Sequence, residues 1–193
     1  MTHDLILKNI SKHIQLDKEE AGYFTSLISF KEIKKKDFIL KEGQACKYLS
    51  YVNSGALRAY CIDKDDKEST IMFAVADWWV TDMFCFLNKK PAMMYIEAIE
   101  NSCIYQLSKE NMDKLFDKVP KFERFFRILM QNAYTREQLR VIENLSLTAE
   151  ERYDSFLLKY PHIAKAVTQK QIASYLGITP EFLSAVRKNK TAG

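Results

Sequence analysis

Near the C-terminus, Glu181, Ser184, Ala185 and Lys188 stand at i, i+3, i+4 and i+7, the spacing that puts side chains on one face of a helix. Their chemistry is that of base readers in a DNA major groove. A carboxylate accepts from cytosine N4, a hydroxyl donates or accepts, and a lysine reaches guanine or phosphate. Glu181 and Lys188 would equally compensate the dipole at the two ends of such a helix, so residue type alone leaves both roles open. Lys170 and Lys190 lie on either side of this stretch and are expected to contact phosphate. Thr168, Gln169, Thr179 and Pro180 complete the expected contact set.

Two helices must position these residues. Thr168 and Gln171 form a capping box, and Ile172, Ala173 and Leu176 then line one side of a two-turn helix. Gly177 follows where a left-handed turn tolerates no Cβ, and Ile178 fills the corner. Thr179 caps a second helix with Pro180 in its first position, and Leu183 and Val186 point back at the first helix. Ala173 is small enough to let the two helices cross closely. An ordinary helical hairpin would use the same apolar positions, but two caps, a glycine turn and a small crossing residue together predict a DNA-binding helix-turn-helix.

The rest of the chain supplies a scaffold. With 193 residues, 47% hydrophobic and 28% charged, it has globular composition and room for a sensing module plus a small second one. From Thr148 onward the net charge is +3 of the chain's +4, an asymmetry that agrees with nucleic-acid binding at that end. No apolar run is long enough to span a bilayer and the start lacks a signal-like stretch, which predicts a cytoplasmic chain with no membrane partner. Cys46, Cys61, Cys85 and Cys103 match no metal-site or disulfide-scaffold spacing and read as reduced, mostly buried thiols. Asp63, Asp65 and Asp66 read as a solvated hairpin turn, so no metal is expected. No P-loop, HExxH, nucleophile elbow or dinucleotide fingerprint occurs, which argues against an enzyme.

Residues 1 to about 27 carry helical periodicity. Short β-branched and aromatic runs follow at 37–40, 48–52, 56–62, 70–75, 95–99 and 103–107, separated by turn signals at Gly43, Asn53-Ser54-Gly55, 63–67 and Glu100-Asn101. That spacing predicts a small antiparallel roll. Ser108 caps a further helix, and after Pro120 a long one runs to about Ser146. Phe122, Phe126, Leu129, Ala133 and Leu139 are expected to form its dimer seam, extended by Ile142 and Leu145; the alternative is a helix buried in its own chain. Thr148 and Glu151 form another capping box, so a hinge is expected at 145–148, and the helix that follows stops at Pro161. The expected division is a sensor at 1–118, a connecting helix at 119–147 and the helix-turn-helix at 148–193.

Glu151-Arg152-Tyr153, Phe156, Tyr160-Pro161, the run from Gln171 to Glu181, Leu183-Ser184 and Arg187-Lys188 resemble the C-terminal signature of Crp/Fnr transcription regulators. Upstream, Gly43 and Gly55 stand where that family's β-roll glycines lie, and Trp78 to Asp82 resembles the start of its phosphate-binding cassette. The resemblance implies an α+β fold: an N-terminal antiparallel, jelly-roll-like β-roll, a long dimerisation helix and a C-terminal helix-turn-helix. It implies a homodimer on a near-palindromic double-stranded DNA site, with RNA polymerase as a further partner.

The pattern departs from the family at the cassette. Counting back from Ile96-Glu97-Ala98 puts Ala92 at the phosphate-pairing arginine, Asp82 at the ribose-binding glutamate and Thr81 at the glycine, with Met93 beside them. This implies a degenerate pocket unresponsive to cyclic AMP, with Lys89 and Lys90 nearby. No cofactor is expected, since the first cysteine is Cys46 whereas an iron-sulfur sensor needs an N-terminal cluster, and nothing places His3, His13 or His162 as haem ligands. Five residues follow Lys188, too few for the family's wing, so either the subgroup lacks it or the chain is truncated. The rival reading is a ligand-sensing or protein-interaction module whose nucleotide and DNA sites have both decayed.

Overall fold

The computed structural model describes residues 2–192, with side chains described from 2 to 188. Among these, α1 (Asp4–Ser11) and α2 (Lys18–Leu27) lead into β1 (Ile28–Ile33), β2 (Phe38–Leu40), β3 (Tyr48–Ser54), β4 (Ala56–Ile62), β5 (Glu68–Val75) and β6 (Trp79–Val80). A short helix α3 (Met83–Asn88), β7 (Tyr95–Ala98) and β8 (Ser102–Ser108) complete the roll. Helices α4 (Lys109–Lys118), α5 (Lys121–Ser146), α6 (Ala149–Lys159), α7 (Ile163–Ala166), α8 (Gln169–Leu176) and α9 (Pro180–Ala192) follow.

The strands form two antiparallel four-stranded sheets in the orders β1-β8-β3-β6 and β2-β7-β4-β5. Alternation along β4 divides its side chains between two environments. Leu57 and Ala59 face the roll interior with Leu49, Ile96, Ala98 and Ile104, whereas Ala56 joins Phe73 and Ile99 in a second apolar cluster with the C-terminal helices. This is an α+β fold with an N-terminal antiparallel β-roll, a long helix and a C-terminal helix-turn-helix. Strands β1 and β6 and helices α3 and α7 were not foreseen. Strand β6, α3 and α7 are short, and a two-residue pairing such as that of β6 with β3 leaves little periodicity to read, whereas β1, six residues long, carries Lys31 and Glu32 within it.

The 26 residues of α5 span about 39 Å, and they correct the expected seam. Phe122 and Phe126, placed on a dimer seam by periodicity, are buried in the chain's own core: Phe122 stacks on Phe24 at 5.1 Å and Phe126 meets Phe116 at 5.3 Å. Leu129 packs partly buried against the same core, and Ala133 continues that helix face. The exposed apolar residues of α5 are Tyr134, Leu139, Val141, Ile142 and Leu145. No helix among the described residues is long and apolar enough to cross a membrane. Cys46 and Cys85 are buried thiols, and Cys61 and Cys103 are partly exposed ones.

Gly55, between β3 and β4, is the tightest turn. Its φ is +83°, and a Cβ there would overlap Ser102 Oγ and lie 2.6 Å from the Asn101 carbonyl oxygen. Gly43 has a similar φ of +79° but nothing within 4 Å of a Cβ. Gly55→Ala should therefore lose about 3 kcal/mol of stability, from backbone strain plus overpacking, against about 1 kcal/mol for Gly43→Ala. Urea denaturation of the two variants checks this; equal midpoints would contradict it.

Candidate nucleic-acid interface

Helices α8 and α9 are built from their caps. Thr168 accepts from the Gln171 amide at 3.2 Å while the Gln171 side chain accepts from the Thr168 amide at 3.0 Å, so two exposed N–H groups are satisfied reciprocally. Gly177 takes φ +69°, and the Ile178 amide closes the turn on the Ala173 carbonyl at 3.1 Å. Thr179 accepts from the Phe182 amide at 3.2 Å, and Pro180 opens α9. Ile172, Ala173, Leu176, Leu183 and Val186 are buried between the helices, leaving Glu181, Ser184, Ala185 and Lys188 exposed together on the far side of α9. Thr168, Gln169, Lys170, Thr179 and Pro180 are also exposed at the two helix starts. The side chain of Lys190 lies outside the described residues. Phe182, half-exposed beside Glu181, belongs to this surface and was missed because an aromatic in helical spacing reads as core.

This unit is fastened to the roll through β5, an edge strand. Its register against β4 slips between Ala59 and Tyr60, leaving Ile71 without a partner, a β-bulge. Two side chains satisfy the backbone there. Ser174 of α8 accepts from the Thr70 amide and donates to the Glu68 carbonyl, both at 2.8 Å, and lies 3.0 Å from Thr70 Oγ1. Arg140 of α5 donates to the Ile71 carbonyl, to the Thr70 carbonyl at 2.8 Å and to the Tyr175 carbonyl at 3.2 Å, with its guanidinium 4.5 Å over the Tyr175 ring. Beneath them Arg58, 2% exposed, donates to Thr70 Oγ1 at 2.9 Å, Glu68 at 2.8 Å and Glu97 at 3.2 Å. Phe73, Phe156, Tyr160 and Tyr175 pack around this seam with ring centroids 5.4–6.0 Å apart. Burial pushes the Tyr160 phenol far above its ordinary pKa, so it stays protonated. Neither Ser174, Arg140 nor Arg58 was singled out in the sequence: Ser174 and Arg140 act on a strand distant along the chain, and Arg58 is a charge inside an otherwise apolar strand run.

The residues expected at a degenerate pocket, Thr81, Asp82, Ala92 and Met93, stand on either side of α3. Asp82 is buried and caps α3, accepting from the Cys85 amide at 3.2 Å and the Met93 amide at 2.8 Å. Thr81 donates to the Tyr48 carbonyl at 2.8 Å. Ala92 is buried, its backbone paired with Gly43 and Gln44 at 2.8 Å, and Met93 is exposed. The cavity within the roll beside Thr81 measures about 30 Å³, whereas pockets for drug-sized ligands take roughly 300–1,000 Å³. Lys89 and Lys90 are exposed beside an adjoining open cleft of about 630 Å³, which shares Ala45, Cys46, Lys47 and Tyr48 with that cavity.

Residues 30–119 match the family described as the cyclic nucleotide-binding domain. The chain is 24% identical over 181 residues to the anaerobic regulatory protein of Pasteurella multocida, covering 88% of this chain and 66% of that one. It is 25% identical to the fumarate and nitrate reduction regulatory protein of Vibrio cholerae, covering 88% and 72%. The chain thus spans about two thirds of the length of these curated relatives. Among solved structures, a transcriptional regulator of Eubacterium rectale assigned to the crp/fnr family superimposes with a TM-score of 0.74 at 19% identity, covering 92% of this chain and 85% of that one. A roll of the cyclic nucleotide-binding type, continued through one long helix into a helix-turn-helix, is thus similar along most of its length to transcription regulators of the Crp/Fnr kind.

Proposed function

We propose that this chain is a homodimeric, sequence-specific regulator that sets α9 into the major groove of a near-palindromic DNA site. The observation that carries this reading is the division of α9: Leu183 and Val186 face inward while Glu181, Ser184, Ala185 and Lys188 share the exposed face. In this reading Glu181, Ser184 and Lys188 meet base edges, Thr168, Gln169, Thr179 and Pro180 approach the backbone, and Lys170 and Lys190 neutralise phosphates. Residues 1–118, 119–147 and 148–193 act as sensor, connector and DNA-binding unit. The regulator works in the cytoplasm, with RNA polymerase as its further partner, and performs no catalysis.

The second copy docks on the outward face of α5, where Tyr134, Val141, Ile142 and Leu145 are 52–84% exposed. Cyclic AMP is not the effector in this reading. Ala92 offers no charge to a cyclic phosphate, and the Asp82 carboxylate is engaged with two backbone amides that a ribose would have to displace.

Three experiments test this reading. Ile142→Lys should weaken self-association at least about tenfold, about 1.4 kcal/mol, by bringing a charge to an apolar face; light scattering reads it, and a monomeric parent protein contradicts the dimer. Calorimetry with cyclic AMP and cyclic GMP should give no micromolar binding, and saturable heat would return the Asp82 pocket to nucleotide sensing. Selection from random duplexes should enrich an inverted repeat with half-sites roughly 10 base pairs apart. Ser184→Glu should abolish binding to it with the fold intact, Glu181→Ala should relax one base position by about 1–3 kcal/mol, and Lys170→Gln should flatten the salt slope by about one unit. Absence of salt-dependent binding to any duplex would favour the decayed-module reading instead.

A further inference from the structure

Between the C-terminal half of α5 and the helices α6 and α8 lies a cleft of about 280 Å³, remote from the roll interior. Its lining includes Arg140, Arg152 and Lys159 against a single acid, Glu143, over an apolar floor of Phe156 and Leu176. Arg136 approaches the same cluster, with its guanidinium 4.8 Å over the Trp78 ring. Partial desolvation and, next, the charge of Arg136 push Lys159 below its ordinary pKa; Glu143 and Glu137 pull it up, and Arg140 adds to the depression.

The cations are not equivalent. Arg140 has committed its terminal nitrogens to the carbonyls of Thr70, Ile71 and Tyr175, so it contributes charge rather than donors. Arg152 uses one terminal nitrogen on the Asn144 carbonyl at 3.0 Å, while its buried Nε–H has no hydrogen-bond partner among the described residues. A buried donor left in that state is unfavourable until an acceptor reaches it. Lys159 makes no ion pair within 4.0 Å among the described residues and lies 5.4 Å over the Tyr160 ring. The excess charge of the lining is two, which a dianion would neutralise.

We propose that this cleft is an anion site for a small phosphate-bearing molecule, with Arg152 and Lys159 as donors and Arg140 as the supporting charge. The volume suits a pyrophosphate or a compact phosphate ester and is small for a full nucleotide. Because Arg140 belongs to α5 and Arg152 and Lys159 to α6, the bound anion bridges the junction around Leu147 and Thr148. It is thereby placed to bias the orientation of the helix-turn-helix. That regulatory consequence rests on the DNA-binding reading; the binding itself does not.

The test is calorimetric titration of the full chain with pyrophosphate at constant ionic strength, without DNA. Saturable one-to-one binding is expected, weakened at least about tenfold, about 1.4 kcal/mol, in Lys159→Gln and again in Arg152→Gln. The double variant Lys89→Gln/Lys90→Gln, on the separate cleft of the roll, should bind as the parent does. Should Arg152→Gln unfold, Lys159→Gln, altered at an exposed side chain, keeps the test decisive. No saturable heat at millimolar pyrophosphate, an unchanged affinity in Lys159→Gln, or a loss confined to the Lys89/Lys90 variant would each overturn the assignment. Repeating the DNA titrations with and without pyrophosphate then tests the bridge: a shift in DNA affinity supports it, and identical curves with the anion bound remove the regulatory part alone.

Discussion

A strand at the edge of a sheet has backbone groups that need partners, and in this protein the arrangement of the C-terminal half follows from how β5 meets that demand. One serine hydroxyl on α8 takes the Thr70 amide and the Glu68 carbonyl, and one guanidinium on α5 takes the Thr70 and Ile71 carbonyls. The bulge at Ile71 turns out the carbonyl that Arg140 needs. Long helix, helix-turn-helix and roll therefore converge on four consecutive residues of a single strand. Arg140 also reaches the Tyr175 carbonyl, so the same side chain fixes α8 against α5. The exposed face of α9 inherits its direction from this fastening, since Leu183 and Val186 lock α9 onto α8.

The burial of Arg58 belongs to the same constraint. A guanidinium 2% exposed is tolerable only when its charge and donors are matched, and Glu68, Glu97 and Thr70 do so from both neighbouring strands. The Tyr60 ring lies 4.2 Å from the guanidinium and covers it further. Thr70 is thus bonded on one side to a charge held by the roll and on the other to Ser174 of α8. Such a chain of polar groups specifies one docking position where apolar packing of Phe73 against Phe156, Tyr160 and Tyr175 alone would accept several.

What could be read from the sequence was local. Caps act within three or four residues, so Thr148, Thr168 and Thr179 marked helix starts correctly, and Gly177 marked a turn that only its φ of +69° explains. Turn signals located β3, β4 and β5 for the same reason. Periodicity said which residues of α5 share a face but not what that face meets; Phe122 and Phe126 went inward because Phe24 and Phe116 wait for them from elsewhere in the chain. Asp82 accepts from the Cys85 amide as an ordinary local cap that was not read from the sequence, whereas its bond to the Met93 amide depends on a loop return that no local pattern encodes. Ser174 and Arg140 were opaque for that reason too, their partners lying 104 and 69 residues away.

The segment that Ser174 and Arg140 cover has its own hazard. Thr70 to Val75 reads Thr-Ile-Met-Phe-Ala-Val, six uncharged residues of β-forming character with neither proline nor glycine. Segments of that composition, once exposed on an edge, template the stacking of further chains. The side chains that orient the helix-turn-helix therefore also shield the roll from aggregation. Any excursion that swings α8 away must be brief or must hand the edge to another cover, which limits how far a working cycle can separate the two halves without the solubility of the protein suffering.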